Sequence, residues 1–152
     1  MEQRKVLCPV DMTREGSGAA VEAANLARAL GAELLLVHVM GEAGLAVGEP
    51  MLAAGELTSF ALPQLSEDYR DEMARRLHLM GEEFRATGLP VSTMLLRGAP
   101  HEAIVSTADS EHVDMIVMGT HGRRGLSHML LGSVAERVVR SAKVPVMTLK
   151  LN

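Results

Sequence analysis

Cysteine is nearly absent: Cys8 is the single one in 152 residues, so no disulfide framework holds this chain. Aromatic residues are almost as scarce. Phe60, Phe84 and Tyr69 make up 2% of the chain and there is no tryptophan, which removes the stacking platforms used to bind single-stranded nucleic acid. Positive charge is not in excess. Lys and Arg number 15 against 19 Asp and Glu, a net charge of −4, so attraction to a phosphate backbone does not drive function and no nucleic-acid partner is expected. No apolar run approaches the roughly 18 residues that a membrane span needs. The start, Met1 to Lys5, leads into an apolar run too short for a signal peptide, with no small-residue cleavage site. The expected location is the cytoplasm, with no membrane partner, and a lone cysteine accords with a reducing compartment.

What is present is an apolar chain. A hydrophobic content of 47% excludes intrinsic disorder, and the length suits one domain over residues 1–152 with a sizeable core. Val6 to Val10 is a continuous apolar run without polar alternation, which predicts a strand buried on both faces. Residues 14–30 repeat alanine at helical spacing (Ala19, Ala20, Ala23, Ala24, Ala27), and Gly31 stops that helix. Leu34 to Met40 predicts a second buried strand. Residues 41–64 carry Gly41, Gly44, Gly48, Pro50, Gly55 and Pro63 with no sustained period and read as a long flexible loop, the kind that serves as a lid or stays disordered. From Leu65 the helical period returns through Tyr69, Met73, Leu77, Met80 and Phe84, with Glu67 and Asp68 suited to the positive end of the helix.

Val91 to Leu96 predicts a third strand, Pro100 to about Ser110 a helix with proline near its first position, and Asp114 to Met118 a fourth strand. A glycine-bearing loop over 119–132 leads to a helix from Ser133 to about Ala142, and Val144 to Leu149 ends the series as a strand. Strands alternating with helices predict an α/β fold: one doubly wound, five-stranded parallel sheet with helices on both faces. Ligands in such sheets bind at the carboxyl ends of the strands, which directs attention to Asp11, Val39 and Gly119.

The loop after the fourth strand carries the sharpest signal. Its glycines permit close backbone approach to a ligand. Ser133 is followed three residues later by Glu136, the spacing of a capping box, so a helix N-terminus faces the loop. Glycine loop and helix N-terminus together form an anion site, and Arg123 and Arg124 add positive charge. Local features leave a second reading standing, in which the glycines shape a tight loop and Ser133 is a cap alone. The pattern is neither of two common phosphate loops: there is no G-x-x-x-x-G-K-[ST] and no G-x-G-x-x-G after the first strand.

Gly119-x-x-Gly122, nine residues, then Gly132-Ser133 resembles the G-2x-G-9x-G-[ST] nucleotide motif of the universal stress protein family. Leu130 to Val138, Val144-Pro145-Val146, Pro9-Val10-Asp11, Val37-His38-Val39 and Gly98-Ala99-Pro100 extend the resemblance along the chain in the right order. The resemblance implies a Rossmann-like five-stranded α/β fold that binds ATP as a homodimer. It implies that Pro9, Asp11 and Val39 hold adenine, and that Met118, Gly119, Gly122, Gly132 and Ser133 hold ribose and phosphates. Asp11 is an acceptor able to take a hydrogen bond from an adenine amino group or a ribose hydroxyl. Any Mg²⁺ would be held mainly by the phosphates. One departure stands out: Met12-Thr13 occupies the place where the family usually has Gly-Ser.

Other candidates carry less. His38 reads as a hydrogen-bonded core histidine, and Cys8 as an inert buried thiol. His121 and His128 flank the loop without a carboxylate or cysteine to complete a metal site, and His101-Glu102 lacks a second histidine. The eleven methionines read as core fillers. No lysine lies between Gly119 and Ser133 and no general base stands out, so no catalytic residue is assigned. The first expectation is therefore an ATP-binding, stress-responsive regulatory protein with at most slow hydrolysis. The alternatives are a slow ATPase or nucleotidyl-transfer enzyme using His121, and an interaction module without nucleotide. The short apolar strand 144–149, with Pro145 marking an edge, is the expected homodimer contact.

Overall fold

The uninterrupted apolar runs form the strands at the centre of the molecule. In a computed structural model that describes residues 2–12, 14–41, 61–120 and 131–151 (backbone alone for 14–16 and 61–66), Val6, Leu7, Cys8 and Leu34 to Val37 are all at most 1% exposed. The order is β1 (Lys5–Pro9), α1 (Arg14–Leu30), β2 (Glu33–Met40), α2 (Ala61–Arg85), β3 (Val91–Arg97), α3 (Pro100–Ser110), β4 (Met115–Gly119), α4 (Ser133–Ser141) and β5 (Val146–Leu149). The five strands form one parallel sheet in the order β3-β2-β1-β4-β5. This is the doubly wound α/β architecture expected from the alternation of elements.

Side chains alternate across a strand, so each strand feeds two cores. Val6, Cys8, Leu34 and Leu36 pack with the α1 alanines and with Leu77 of α2. Leu7, Leu35, Val37 and Ile116 pack with Ile104 and Ala108 of α3 and with Ala135 and Val138 of α4. Thus α1 and α2 cover one face, and α3 and α4 the other. Ala19, Ala20, Ala23, Ala24 and Ala27 are at most 2% exposed, and their small side chains let α1 lie close on the sheet. Gly31, at φ 62°, ends α1: its N–H donates to the Arg28 carbonyl at 3.2 Å and that of Ala32 to the Ala27 carbonyl at 2.8 Å, the paired bonds of a Schellman stop.

Two boundaries differ by more than one residue from the sequence expectation. The long helix begins at Ala61, not Leu65. Pro63 falls in its first turn, where the missing N–H forfeits no helical bond. Glu67 and Asp68 consequently lie beyond the first turn, which holds no acidic residue, and they are not set against the helix dipole's positive end. Of the loop expected over 41–64, residues 42–60 lie outside the described residues. The last strand is shorter than expected: Val144 and Pro145 lead into β5, and the Pro145 carbonyl accepts from Ile116 N–H at 2.9 Å.

The order places β1 in the middle. After β1 the chain moves outward to β2 and β3 along one face; after β4 it moves to β5 along the other. The carboxyl ends of β1 and β4 therefore flank the point where the winding reverses, the place where open α/β sheets offer a crevice.

Candidate functional site

Proline opens the crevice. Val10 N–H donates to the Val37 carbonyl at 2.8 Å, on the β2 side. Backbone polar groups alternate sides along a strand, so the nitrogen of Pro9 faces β4, and it has no hydrogen to give. The pairings follow suit. β1 pairs with β2 as far as Pro9↔Val37, and β4 with β5 as far as Gly119↔Leu149, but β1 with β4 only as far as Leu7↔Ile116. The last residues of the two strands are unzipped from each other while each stays paired on its other side.

Beyond the cleft's β1 wall the chain turns through Asp11, which is partly exposed, into Met12. Met12 has φ 65°, a left-handed backbone that costs a side-chain-bearing residue roughly 1–2 kcal/mol. Its side chain packs against the core beneath α1. His38, 6% exposed on β2, holds the same corner through Nδ1, which lies 2.6 Å from the Val10 carbonyl oxygen. The carbonyl only accepts, so Nδ1 carries the proton.

The β4 wall is closed by a different device. Thr120, 7% exposed, donates its N–H to the Leu149 carbonyl at 2.9 Å, and its own carbonyl accepts from Gly132 N–H at 2.5 Å. This bond sets Gly132 and Ser133 against the end of β4. Gly132 caps α4 in an extended conformation, φ −69° and ψ 166°, with no side-chain hydrogen bond at the cap. This corrects the capping-box expectation. Ser133 is the first helical residue and not the cap, and Glu136, whose carboxylate is 2.6 Å from Arg140, does not reach back. With no side-chain hydrogen bond at its cap, the N-terminus of α4, tied by Gly132 to Thr120 at the carboxyl end of β4, has first N–H groups that an anion would satisfy.

The structure thus brings together Pro9 and Asp11 at the end of β1 with Met118, Gly119, Gly132 and Ser133 at the end of β4. Val39, near the end of β2, and Met118 pack against the same core cluster. Gly122, Arg123, Arg124, His121 and His128 lie outside the described residues. Thr120 and His38 build the site without having been assigned to it; the signal for Thr120 was its place beside the first motif glycine. Cys8 is fully buried, which pushes its thiol up to about 12, so it offers no nucleophile near neutrality. Among the described residues no group of three or more His, Cys, Asp or Glu is placed to hold a metal ion. No helix among them is long and apolar enough to cross a membrane. A separate cavity of about 440 Å³, lined by Met40, Glu67, Arg70, Leu95, Leu96 and Arg97, lies at the ends of β2 and β3 and includes none of the expected site residues.

Comparison with known proteins agrees with this architecture. Residues 2–150 match the family described as the universal stress protein family. The universal stress protein MJ0531 of Methanocaldococcus jannaschii is 35% identical over 147 residues, covering 97% of this chain and 82% of that protein. The solved structure of MJ0577 from the same organism is similar at a TM-score of 0.74 with 28% identity, covering 100% of this chain and 99% of that one. Two more distant structures, at 22% and 23% identity, share the fold at a TM-score of 0.66. One is a universal stress protein in complex with cAMP, covering 100% of both chains; the other is the Archaeoglobus fulgidus protein in complex with dAMP, covering 98% of both. By the span of the match and the identity to its relatives, this chain belongs to the universal stress protein family.

Proposed function

We propose that this protein binds ATP in the cleft between β1 and β4 and acts in the cytoplasm as a nucleotide-dependent regulatory protein, with little or no fast catalysis. The observation that carries the reading is the cleft itself: two strand ends unzipped at the reversal point of the sheet, with a helix N-terminus beside it whose glycine cap makes no side-chain hydrogen bond. Adenine nucleotides in the complexes of two relatives point to the ligand class. In this reading Pro9, Asp11 and Val39 hold adenine. Met118, Gly119 and Gly122 line the ribose and phosphate path, and the N–H groups at Gly132 and Ser133 receive the phosphates. Mg²⁺, where present, is held mainly by the phosphates. No lysine lies between Gly119 and Ser133 and no general base stands out beside the phosphates, so turnover is slow.

The test is calorimetric titration of ATP into the wild type and Gly132→Val. The backbone at Gly132 is one that valine adopts without strain, so a folded variant isolates the obstruction of the phosphates. ATP binding by the wild type and its loss in the variant is the expected result. Equal affinity in the two proteins overturns the placement.

The functional unit proposed is a homodimer joined through β5. Among the described residues that strand is an edge, paired with β4 alone. Met147 on it is 38% exposed, and Val139, on the helix that packs over it, is 46% exposed. An apolar edge of this kind is suited to an isologous contact with a second copy.

A further inference from the structure

The turn that leaves β1 contains a left-handed residue and is held from two sides. Two residues among those described, other than glycine, have positive φ: Met12 at 65° and His112 at 52°. His112 is at an exposed helix end, where a left-handed residue is routine. Met12 is different. It is an unbranched side chain with no polar atom to bond its own backbone, in a conformation that glycine or asparagine takes far more easily. Such a residue persists where surrounding structure over-determines it, and these residues cluster at ligand sites.

Two holds over-determine this one. The Met12 side chain packs against the core built by the α1 alanines, Val6, Cys8 and Val10. From the other side, the buried His38 donates to the Val10 carbonyl at 2.6 Å, while Val10 N–H donates to Val37 at 2.8 Å. Asp11 is the one residue between the two anchors. With its neighbours on both sides fixed to different parts of the core, its own backbone has little freedom left.

We infer that Met12 is a positioning residue: its seated side chain locks a left-handed corner, together with His38, so that Asp11 is preorganised for the nucleotide before binding. This rests on the ATP reading above. A preformed corner avoids the ordering cost that a mobile turn adds on binding.

Two substitutions separate the roles of backbone and side chain. Met12→Gly allows the left-handed φ but removes the anchor; Met12→Leu keeps an apolar anchor of similar volume. ATP affinity is measured by calorimetry, and exchange of the Val10 amide by NMR in the nucleotide-free protein. Met12→Gly is expected to raise Kd about tenfold, the effect of freeing roughly one backbone residue, and to speed Val10 exchange. Met12→Leu is expected to stay near the wild type in both. If strain relief were all that mattered, Met12→Gly would bind as tightly as the wild type or tighter, and that result overturns the inference, as does an equal loss in both variants. A wild type that binds no ATP overturns the functional reading; the lock on the corner is then decided by exchange alone, and equal Val10 rates in the wild type and Met12→Gly overturn it.

Discussion

Cys8 sits in the middle strand of five, with no exposed surface. Burial disfavours its thiolate and moves the thiol from 9.0 to about 12. Below pH 9 the thiol is protonated in both folded and unfolded chains and adds no pH dependence. Between pH 9 and 12 the unfolded chain releases a proton that the folded protein retains, so stability falls as pH rises, approaching about 1.4 kcal/mol per pH unit from this group. Urea unfolding at pH 8, 9, 10 and 11 should show a steeper loss in the wild type than in Cys8→Ala; parallel curves would rule the thiol out as the cause. Not every residue of the site was equally legible. Pro9 and Asp11 announce themselves as a break at the end of an apolar run. That the nitrogen of Pro9 faces β4 is invisible without the strand order. The left-handed Met12 is invisible too, because tertiary packing sets that φ against the residue's own preference.

At the scale of elements, α4 makes a distinction that its sequence does not. A serine followed three residues on by glutamate reads as a capping box, yet Gly132 takes the cap and Ser133 enters the helix. The pattern cannot say which of two adjacent residues adopts the extended conformation; the bond from Gly132 N–H to Thr120, made across the loop, decides it. The shift has a consequence. Losing a true cap costs roughly 1 kcal/mol, but the Ser133 hydroxyl makes no such bond. Ser133→Ala should therefore leave the melting temperature within about 2 °C of the wild type and, because alanine keeps the backbone N–H proposed to receive the phosphates, leave the stabilisation by ATP nearly intact. Differential scanning fluorimetry with and without ATP reads both; a large drop in the melting temperature of the nucleotide-free variant would restore the cap. The start of α2 was misplaced for a related reason. Pro63 looks like a breaker in one dimension, but the first turn of a helix tolerates it.

For the molecule as a whole, alternating apolar runs and helical periods sufficed to read a doubly wound parallel sheet, since few other arrangements bury such strands on both faces. Strand order was not legible, because short connections constrain handedness more than the direction in which the winding proceeds. That order puts β5 at an edge. A charge on a short strand that pairs with its own copy meets its like across the two-fold axis, so Val146→Asp, at the start of β5, should shift sedimentation toward monomer at micromolar concentration. A wild type that sediments as monomer, or a variant that stays fully dimeric, would rule out the β5 interface.

The same order sets a timetable for making the protein. The amino end of β1 is fastened to the start of β4 by Lys5 N–H on the Asp114 carboxylate at 2.8 Å, across 109 residues of chain. At a synthesis rate of roughly 5–20 residues per second, β1 waits about 5–20 s for that neighbour. Meanwhile β2 and β3 can dock on its other side under α1 and α2, leaving a half-sheet whose growing edge is β1, with Val6, Leu7 and Cys8 that the finished protein buries. On the ribosome, the strand that will centre the finished sheet is therefore the exposed border of the unfinished one, and the interval before β4 emerges is when a nascent chain is most open to chaperones or to pairing with a neighbouring copy.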